Sequence, residues 1–343
     1  MTVSQYDIAK AAGVSQRAVS FALNGKPNVS KEKREKILKV AEKMGYRPNA
    51  TARAMQRRST GTIGILVQHY TSEEAMLEGI NRELQQAGYF TMIEQYGGVL
   101  KLDANQSRLL LERVVDGLII LNADDSVTQL VDRQFSNLTS HMVWLESSHF
   151  SSTGCVRRDE SAVAEHAVQL VKDKGYDRIF YIERHAGLEP GRKQFPYSGG
   201  IHYSCLARHL GVQEHARKAG LGFDWTDSKL RLEPLSPQQL ASHLELDRGD
   251  RVAVLAYDFW VAEWVNRRLL KLGLDCPKDY GLLCLDEHRQ FKTANIWPEL
   301  SYYKFDRHNA GRQAGRMVLK MVNEKCHCPS QLIGPELFEG QSL

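Results

Sequence analysis

YDIAKAAGVSQRAVSFALN, residues 6–24, decides how the rest of the chain is read. Its first half places Ile8, Ala9 and Ala12 on one helical face, and Gly13 then permits a sharp reversal that a residue with a Cβ resists. Ser15 is suited to cap a second helix, in which Val19 and Leu23 face inward with Ala18 and Ala22 beside them. Gln16, Arg17, Ser20 and Phe21 are left on the outer face, and Asn24-Gly25 stops the helix. Downstream, Ser30 caps a third helix over residues 31–44. Glu32 and Glu35 lie near its start and Lys43 near its end, as the helix dipole prefers. Ile37, Val40, Ala41 and Met44 line this helix and close a three-helix core.

Charge separates this head from the remainder. The 343-residue chain carries a net +4, but residues 1–61 hold thirteen Lys/Arg against four Asp/Glu, and the rest holds 32 against 37. A head of +9 on a body of −5 points to a polyanion as the partner of the head. A plain helical hairpin would share the apolar pattern. The outward Gln16-Arg17 pair, the tight glycine turn and the basic surface instead fit a helix-turn-helix that lays its second helix in the major groove.

After Arg57-Arg58-Ser59-Thr60-Gly61 the rhythm changes. Strands are expected over 62–67, 89–94, 117–121, 141–145, 178–182, 252–256 and 280–285. Between them lie helical stretches over 73–87, 105–114, 161–174, 204–211, 237–244 and 261–272. Apolar strands alternating with helices mean parallel sheets covered on both faces, and two such units in tandem mean two lobes. Ligands in such folds bind beyond the carboxyl ends of the strands, here in a cleft between the lobes. A length of 343 residues and a composition that is 42% hydrophobic and 25% charged suit a soluble multidomain protein.

No apolar run approaches the roughly 18 residues of a membrane span, and the N-terminus reads as polar and helical rather than as a signal peptide. The protein is expected in the cytoplasm, associated with the nucleoid. The six scattered cysteines are expected as reduced thiols. Cys326-His327-Cys328 groups metal-ligand types but lacks a second pair at zinc-finger spacing, so a polar turn is expected there rather than a metal site. No cofactor is expected.

The head, continuing through GYRPNATARAM (45–55) and TIGILV (62–67), closely resembles the LacI/GalR family of bacterial transcription regulators. The matching pieces are DIAKAAGVS, the AVS of the second helix, LNGKPNVS and the GYRPN turn. VDGLIIL (115–121), VWLE (143–146), the run from 156 to 182, LGLDCPKDYGLLCLDEH (272–288) and residues 300–319 extend the resemblance more weakly over nearly the whole chain. It implies an N-terminal all-α helix-turn-helix head over 1–46, a hinge helix and linker over 47–61, and an α/β core over 62–343. The core is expected to have two parallel-sheet lobes, like a type I periplasmic binding protein. Lobe 1 is expected over about 62–158 and 291–320, and lobe 2 over about 159–290 and 321–343.

In this family the segment matching 48–55 is a hinge helix that folds on the minor groove when two subunits meet on operator DNA. Eight residues without a core are too few for a stable isolated helix, which agrees with folding on a partner. The resemblance places Ala52, Arg53 and Met55 at the minor groove, with Met55 in place of the usual Leu wedge. Gln16 and Arg17 are expected at base edges, Arg favouring guanine and Gln adenine. Phe21 stands where the family usually has Arg; its ring suits a thymine methyl and cannot make a bidentate guanine bond. Tyr6, Ser15, Ser20, Asn24, Asn28, Tyr46 and Asn49 are placed for backbone contacts. The implied partners are pseudo-palindromic double-stranded operator DNA, a second copy of the chain, and a small molecule of unknown identity between the lobes, such as a sugar or sugar derivative.

The effector cleft departs from the family pattern. Alignment on Tyr203, Leu206 and Gly211 puts Gly199 where an Arg clamp usually stands. Candidate effector contacts are Tyr70, Asn122, Tyr197, Tyr257, Asp258 and Asp286; each Asp suits a ligand hydroxyl or a local helix cap equally well. Phe259, Trp260 and Trp297 are further aromatics suited to the cleft, to the core or to dimer packing. The reading is therefore a homodimeric repressor of a metabolic operon controlled by a ligand between its lobes. A regulator without a small-molecule effector is the alternative, and a solute-binding protein is opposed by the basic head. G-x-S-x-G, H-E-x-x-H, G-x-G-x-x-G and Walker A motifs are all absent, so no enzymatic activity is expected.

Overall fold

The computed structural model describes residues 3–23, 25–46, 59–67, 73–95, 115–124, 127–128, 131, 141–184, 202–227, 235–287 and 299–343. It divides into two compact units, Met1–Thr60 and Gly61–Leu343. The expected contacts at Asn24, Asn49, Ala52, Arg53, Met55, Tyr70, Tyr197 and Trp297, and the helix expected over 105–114, lie outside the described residues.

The first unit contains α1 (Gln5–Ala12), α2 (Gln16–Leu23) and α3 (Lys31–Lys43). Ser4 and Asp7 form a capping box on α1: the Ser4 hydroxyl accepts from the Asp7 N–H at 3.3 Å and the Asp7 carboxylate accepts from the Ser4 N–H at 2.9 Å. Gly13 turns the chain at φ 67°, ψ 38°, and the Ser15 hydroxyl accepts from the Ala18 N–H at 3.2 Å to start α2. Ile8, Val19 and Ile37 meet at the centre, each fully buried, with Ala12, Ala22 and Ala41 around them. Each large aliphatic side chain contributes about 1.5–3 kcal/mol by leaving water. Ala18, Leu23, Val40 and Met44 pack only partly against this core.

The second unit contains two six-stranded sheets. Its elements in order are β1 (Thr62–Val67), α4 (Glu74–Gln86), β2 (Phe90–Gln95), β3 (Gly117–Leu121), β4 (Met142–Leu145), β5 (Cys155–Arg158) and α5 (Glu160–Asp173). They continue with β6 (Arg178–Glu183), α6 (Tyr203–Ala219), β7 (Gly222–Asp227), α7 (Pro237–Leu244), β8 (Val252–Ala256), α8 (Phe259–Leu270) and β9 (Gly281–Cys284). The last are β10 (Ser301–Phe305), α9 (Arg307–Glu324), β11 (Gln331–Ile333) and β12 (Pro335–Phe338). Lobe 1 has the strand order β11-β5-β4-β3-β1-β2 and lobe 2 the order β12-β10-β9-β8-β6-β7. All pairings between these strands are parallel except β10 with β12. The central strands are buried along their length, as a sheet covered on both faces requires.

Two expected lobe boundaries are corrected. Residues 301–305 belong to lobe 2, since Ser301 and Tyr302 pair with Leu283 and Cys284 and the buried Tyr303 and Phe305 enter the lobe 2 core. Residues 331–333 belong to lobe 1, pairing with Val156, Arg157 and Arg158. The chain therefore passes between lobes at Asp159, Asp306 and Gly334. The crossing near residue 291 moves to 306 because the alternating inward side chains of β10 face lobe 2, while Met317, Val318 and Met321 of α9 fill lobe 1.

The helix expected over 204–211 runs on to Ala219, because Gly211 acts inside it as a packing point rather than a stop: a Cβ there would lie 2.8 Å from the Ala164 methyl. Among the described residues no helix is long and apolar enough to cross a membrane, and all six cysteines are free thiols.

Candidate nucleic-acid interface and inter-lobe site

In the first unit the turn at Gly13 leaves the N-terminal end of α2 at the surface. Gln16 and Arg17 are exposed there beside Ser15, and Gln16 and Ser15 line a shallow recess between α1 and α2 with Tyr6 and Lys10. The first backbone N–H groups of a helix have no intrahelical acceptor, so such an end suits an anion, and Lys10 adds a positive charge. Tyr6 is 65% exposed, Asn28 is exposed and Ser20 half-buried. Tyr46 packs partly on the three-helix core, with its N–H donating to the Ala41 carbonyl at 2.9 Å. Phe21 is half-buried on the α2 surface, with the Arg17 guanidinium 5.3 Å and the Lys26 ammonium 5.6 Å from its ring centroid.

In the second unit the ends of β4, β5 and β9 bring three arginines and three carboxylates together where the lobes meet. Asp286, just beyond β9, accepts from Arg307 Nη2 at 2.7 Å, from Arg208 Nη2 at 3.0 Å and from Arg158 Nη1. Glu160 accepts from Arg208 Nε at 2.6 Å and Nη2 at 2.9 Å. Glu146 accepts from the Arg158 backbone N–H at 2.7 Å, from Arg158 Nε at 2.5 Å and from the Tyr203 hydroxyl at 3.1 Å. Arg208 is fully buried, and Glu146, Arg158, Glu160 and Asp286 are each at most 9% exposed. Burial alone would raise the Asp286 carboxyl, but Arg307, Arg158 and Arg208 outweigh it and hold the group well below the usual aspartate range.

A second chain of hydrogen bonds crosses the same junction. His202 Nε2 lies 2.8 Å from the Glu146 carbonyl oxygen, which can only accept, so Nε2 carries the proton. Nδ1, 2.7 Å from the Ser204 hydroxyl, then accepts from it, and Ser204 in turn accepts from the Tyr257 hydroxyl at 2.8 Å. Burial, reinforced by the positive charge of Arg158, lowers the His202 pKa to about 3, so the ring is neutral and this order of donors is fixed.

The described effector candidates all meet partners within the protein. Asn122 Nδ2 donates to the Glu73 carboxylate, and the Tyr257 carbonyl accepts from Arg208 Nη1 at 2.8 Å. Asp258 caps α8 by accepting from the Val261 N–H at 3.0 Å and pairs with Arg184 Nη1 at 2.7 Å. Phe259 belongs to the lobe 2 core, whereas Trp260 is 37% exposed. Sequence reasoning missed Glu146, Arg158, Glu160, His202, Arg208 and Arg307. One signal was present: Arg208 stands in the i, i+4 line of Ser204, Val212 and Ala216 on the buried face of α6, and a charge in such a line needs a buried counter-charge.

Two family models match the chain: bacterial regulatory proteins, lacI family, over residues 4–49, and the periplasmic binding protein-like domain over residues 168–343. The HTH-type transcriptional repressor PurR of Vibrio campbellii is 24% identical over 331 residues, covering 94% of this chain and 92% of that protein. Catabolite control protein A of Streptococcus mutans is 25% identical over 332 residues with the same coverage. Among solved structures, the lac repressor dimer bound to operator and the anti-inducer ONPF superposes with a TM-score of 0.77 at 19% identity, covering 100% of this chain and 99% of that one. The complex of transcriptional regulator CelR with cellobiose gives 0.61 at 19% identity over 99% and 100% of the two chains.

Proposed function

The chain belongs to the lacI family of bacterial regulatory proteins, and from that premise we propose that it is a homodimeric transcriptional repressor that binds a pseudo-palindromic operator under the control of a small molecule held between its lobes. The observation that carries the DNA reading is the exposed Gln16-Arg17 pair at the start of a helix fixed by the Gly13 turn and the Ser15 cap. In this reading Gln16, Arg17 and Phe21 face the bases of the major groove. Tyr6, Ser15, Ser20, Asn24, Asn28, Tyr46 and Asn49 hold the sugar-phosphate backbone, and Ala52, Arg53 and Met55 enter the minor groove. Residues 1–46 form the reading head, 47–61 the hinge and 62–343 the regulatory core. The protein acts by binding rather than catalysis, in the cytoplasm on the nucleoid.

Titration with palindromic duplexes at two salt concentrations tests this. Each phosphate neutralised steepens the fall of log K with log salt by about 0.9. A salt-insensitive or sequence-indifferent affinity would overturn the reading. Arg17→Ala is expected to relax preference at one base position, costing about 1–3 kcal/mol there. Uniform weakening on every operator would make Arg17 a phosphate contact.

The cellobiose complex of CelR and the anti-inducer complex of the lac repressor support a ligand-controlled core, and a sugar or sugar derivative fits the hydroxyl-accepting groups at the strand ends. Because Asn122, Tyr257, Asp258 and Asp286 are hydrogen-bonded within the protein, such a ligand has to exchange with those bonds. That saturation, together with glycine at position 199, favours a second reading in which the core responds to no small molecule. A thermal-shift screen against sugars, sugar phosphates and purines separates the two, since a ligand selective for the native state raises its melting temperature.

A further inference from the structure

Phe21 is the residue of the reading helix whose chemistry fits its place least: an aromatic ring, half-buried, on the face turned towards a polyanion. Its surroundings form one connected construction. α2 ends in a turn where Gly25, at φ 68°, donates its N–H to the Ala22 carbonyl at 3.3 Å and Lys26 donates its N–H to the Phe21 carbonyl at 3.0 Å. That six-to-one bond brings the side chain of the residue after the glycine back against the side chain at Phe21, where an apolar contact usually forms. Here the contact is an ammonium over a ring, 5.6 Å from its centroid. Arg34 of α3 fixes the turn from the other side by donating from Nη2 to the Lys26 carbonyl. One helical turn before Phe21, Arg17 places its guanidinium 5.3 Å from the same centroid.

We propose that Phe21 is a positioning residue for base recognition, its ring holding Arg17 in the orientation that reads a guanine edge while steadying Lys26 for the neighbouring phosphate. The inference rests on the reading of α2 as the DNA-reading helix. Two cations beside one ring repel each other, and the negative ring face offsets part of that repulsion before DNA arrives. A guanidinium held in this way loses less rotamer freedom on forming two parallel hydrogen bonds to a base than one moving freely in water. The ring's contribution is therefore exerted through Arg17, and the base position it governs is the one Arg17 reads.

Selection of the full chain on a library of randomised half-sites tests this with Phe21→Leu, Phe21→Tyr, Arg17→Ala and the Arg17→Ala/Phe21→Leu double variant. Leucine retains an apolar surface for a thymine methyl but has no π face, whereas tyrosine retains the face. Phe21→Leu is expected to weaken preference about two- to fivefold, the size of an exposed cation–π contact, at the position that Arg17→Ala relaxes. At that position Phe21→Tyr should restore the preference that Phe21→Leu loses, and the double variant should match Arg17→Ala. Should leucine lower the melting temperature of the head, Phe21→Met repeats the loss of the π face in a side chain of similar volume. The proposal is overturned if Phe21→Leu alters a different position while the Arg17 position stays intact, or if it alters none. If Arg17→Ala relaxes no position, or the wild type selects no sequence, the reading of α2 itself falls and takes the positioning role with it.

Discussion

Asp286→Ala is expected to lower the stability of the second unit by about 3–5 kcal/mol, the cost of removing one partner from a buried ion cluster. The carboxylate is 5% exposed and receives hydrogen bonds from Arg158, Arg208 and Arg307. Without it, the three guanidinium groups share only Glu146 and Glu160 among the described residues, which leaves one more positive than negative charge in the cluster. Asp286→Asn keeps the shape and one acceptor but loses the charge, and should fall between alanine and wild type. Denaturant midpoints at constant slope measure both. A loss under about 1 kcal/mol would mean that water reaches the cluster, because exposed ion pairs are worth no more than that.

The pH dependence of that loss has a definite sign. The folded carboxyl titrates below its ordinary value, so its contribution is fully present above the unfolded pKa of about 3.9 and disappears as pH falls through the folded value. The gap between wild type and Asp286→Asn should stay constant from neutrality to about pH 5 and close only in stronger acid. A gap that instead opened on acidification would assign the effect to another group.

Gly311→Ala is the second large effect. α4 and α9 touch backbone to backbone: a Cβ on Gly311 would lie 2.0 Å from the Met76 carbonyl oxygen, and one on Gly79 would lie 2.1 Å from that of His308. Alanine in an exposed helix is favoured over glycine by about 1 kcal/mol, so propensity alone predicts a gain. Sterics reverse the sign. Backbone atoms cannot rotate aside, so the helices must part, loosening Ile80 and Leu84 against Ala314 and Val318. A net loss of about 3 kcal/mol is expected, at the upper end of the overpacking range. Gly315→Ala, whose Cβ would meet Glu83 Cβ at 3.1 Å, should cost distinctly less. Equal melting temperatures for Gly311→Ala and wild type would refute the close approach.

The head was legible in the sequence because its determinants are local. The Gly13 turn, the Ser15 and Ser30 caps and the spacing of Ile8, Val19 and Ile37 each act within a few residues of one another or along one helix face. The alternation of strands and helices was legible for the same reason. The lobe boundaries were not: which sheet β10 and β11 join depends on Leu283 and Val156, partners 18 and 175 residues away in the chain. The inter-lobe cluster was half legible. Asp286 stood out by its place after a strand, but a carboxylate suits a ligand hydroxyl and a guanidinium equally well, and only packing brings Arg158, Arg208 and Arg307 onto it. Asp258 behaves as a helix cap, the local role open to any Asp at a strand end.

Arg307, which joins Asp286 at the lobe junction, is also the first residue of α9, an uninterrupted helix that ends at Glu324. Eighteen residues at 1.5 Å each make a rod about 27 Å long. Its root is gripped by a lobe 2 carboxylate, and its shaft lies against α4 in lobe 1 with glycines in place of compliant side chains. Such a rod works as a lever: a tilt on the order of 10° at the root would carry the far end through about 5 Å. The mechanical gain is set by helix length and by the stiffness of the Gly79–Gly311 contact, so softening that contact should blunt any motion passed along α9 even where the ion cluster is intact.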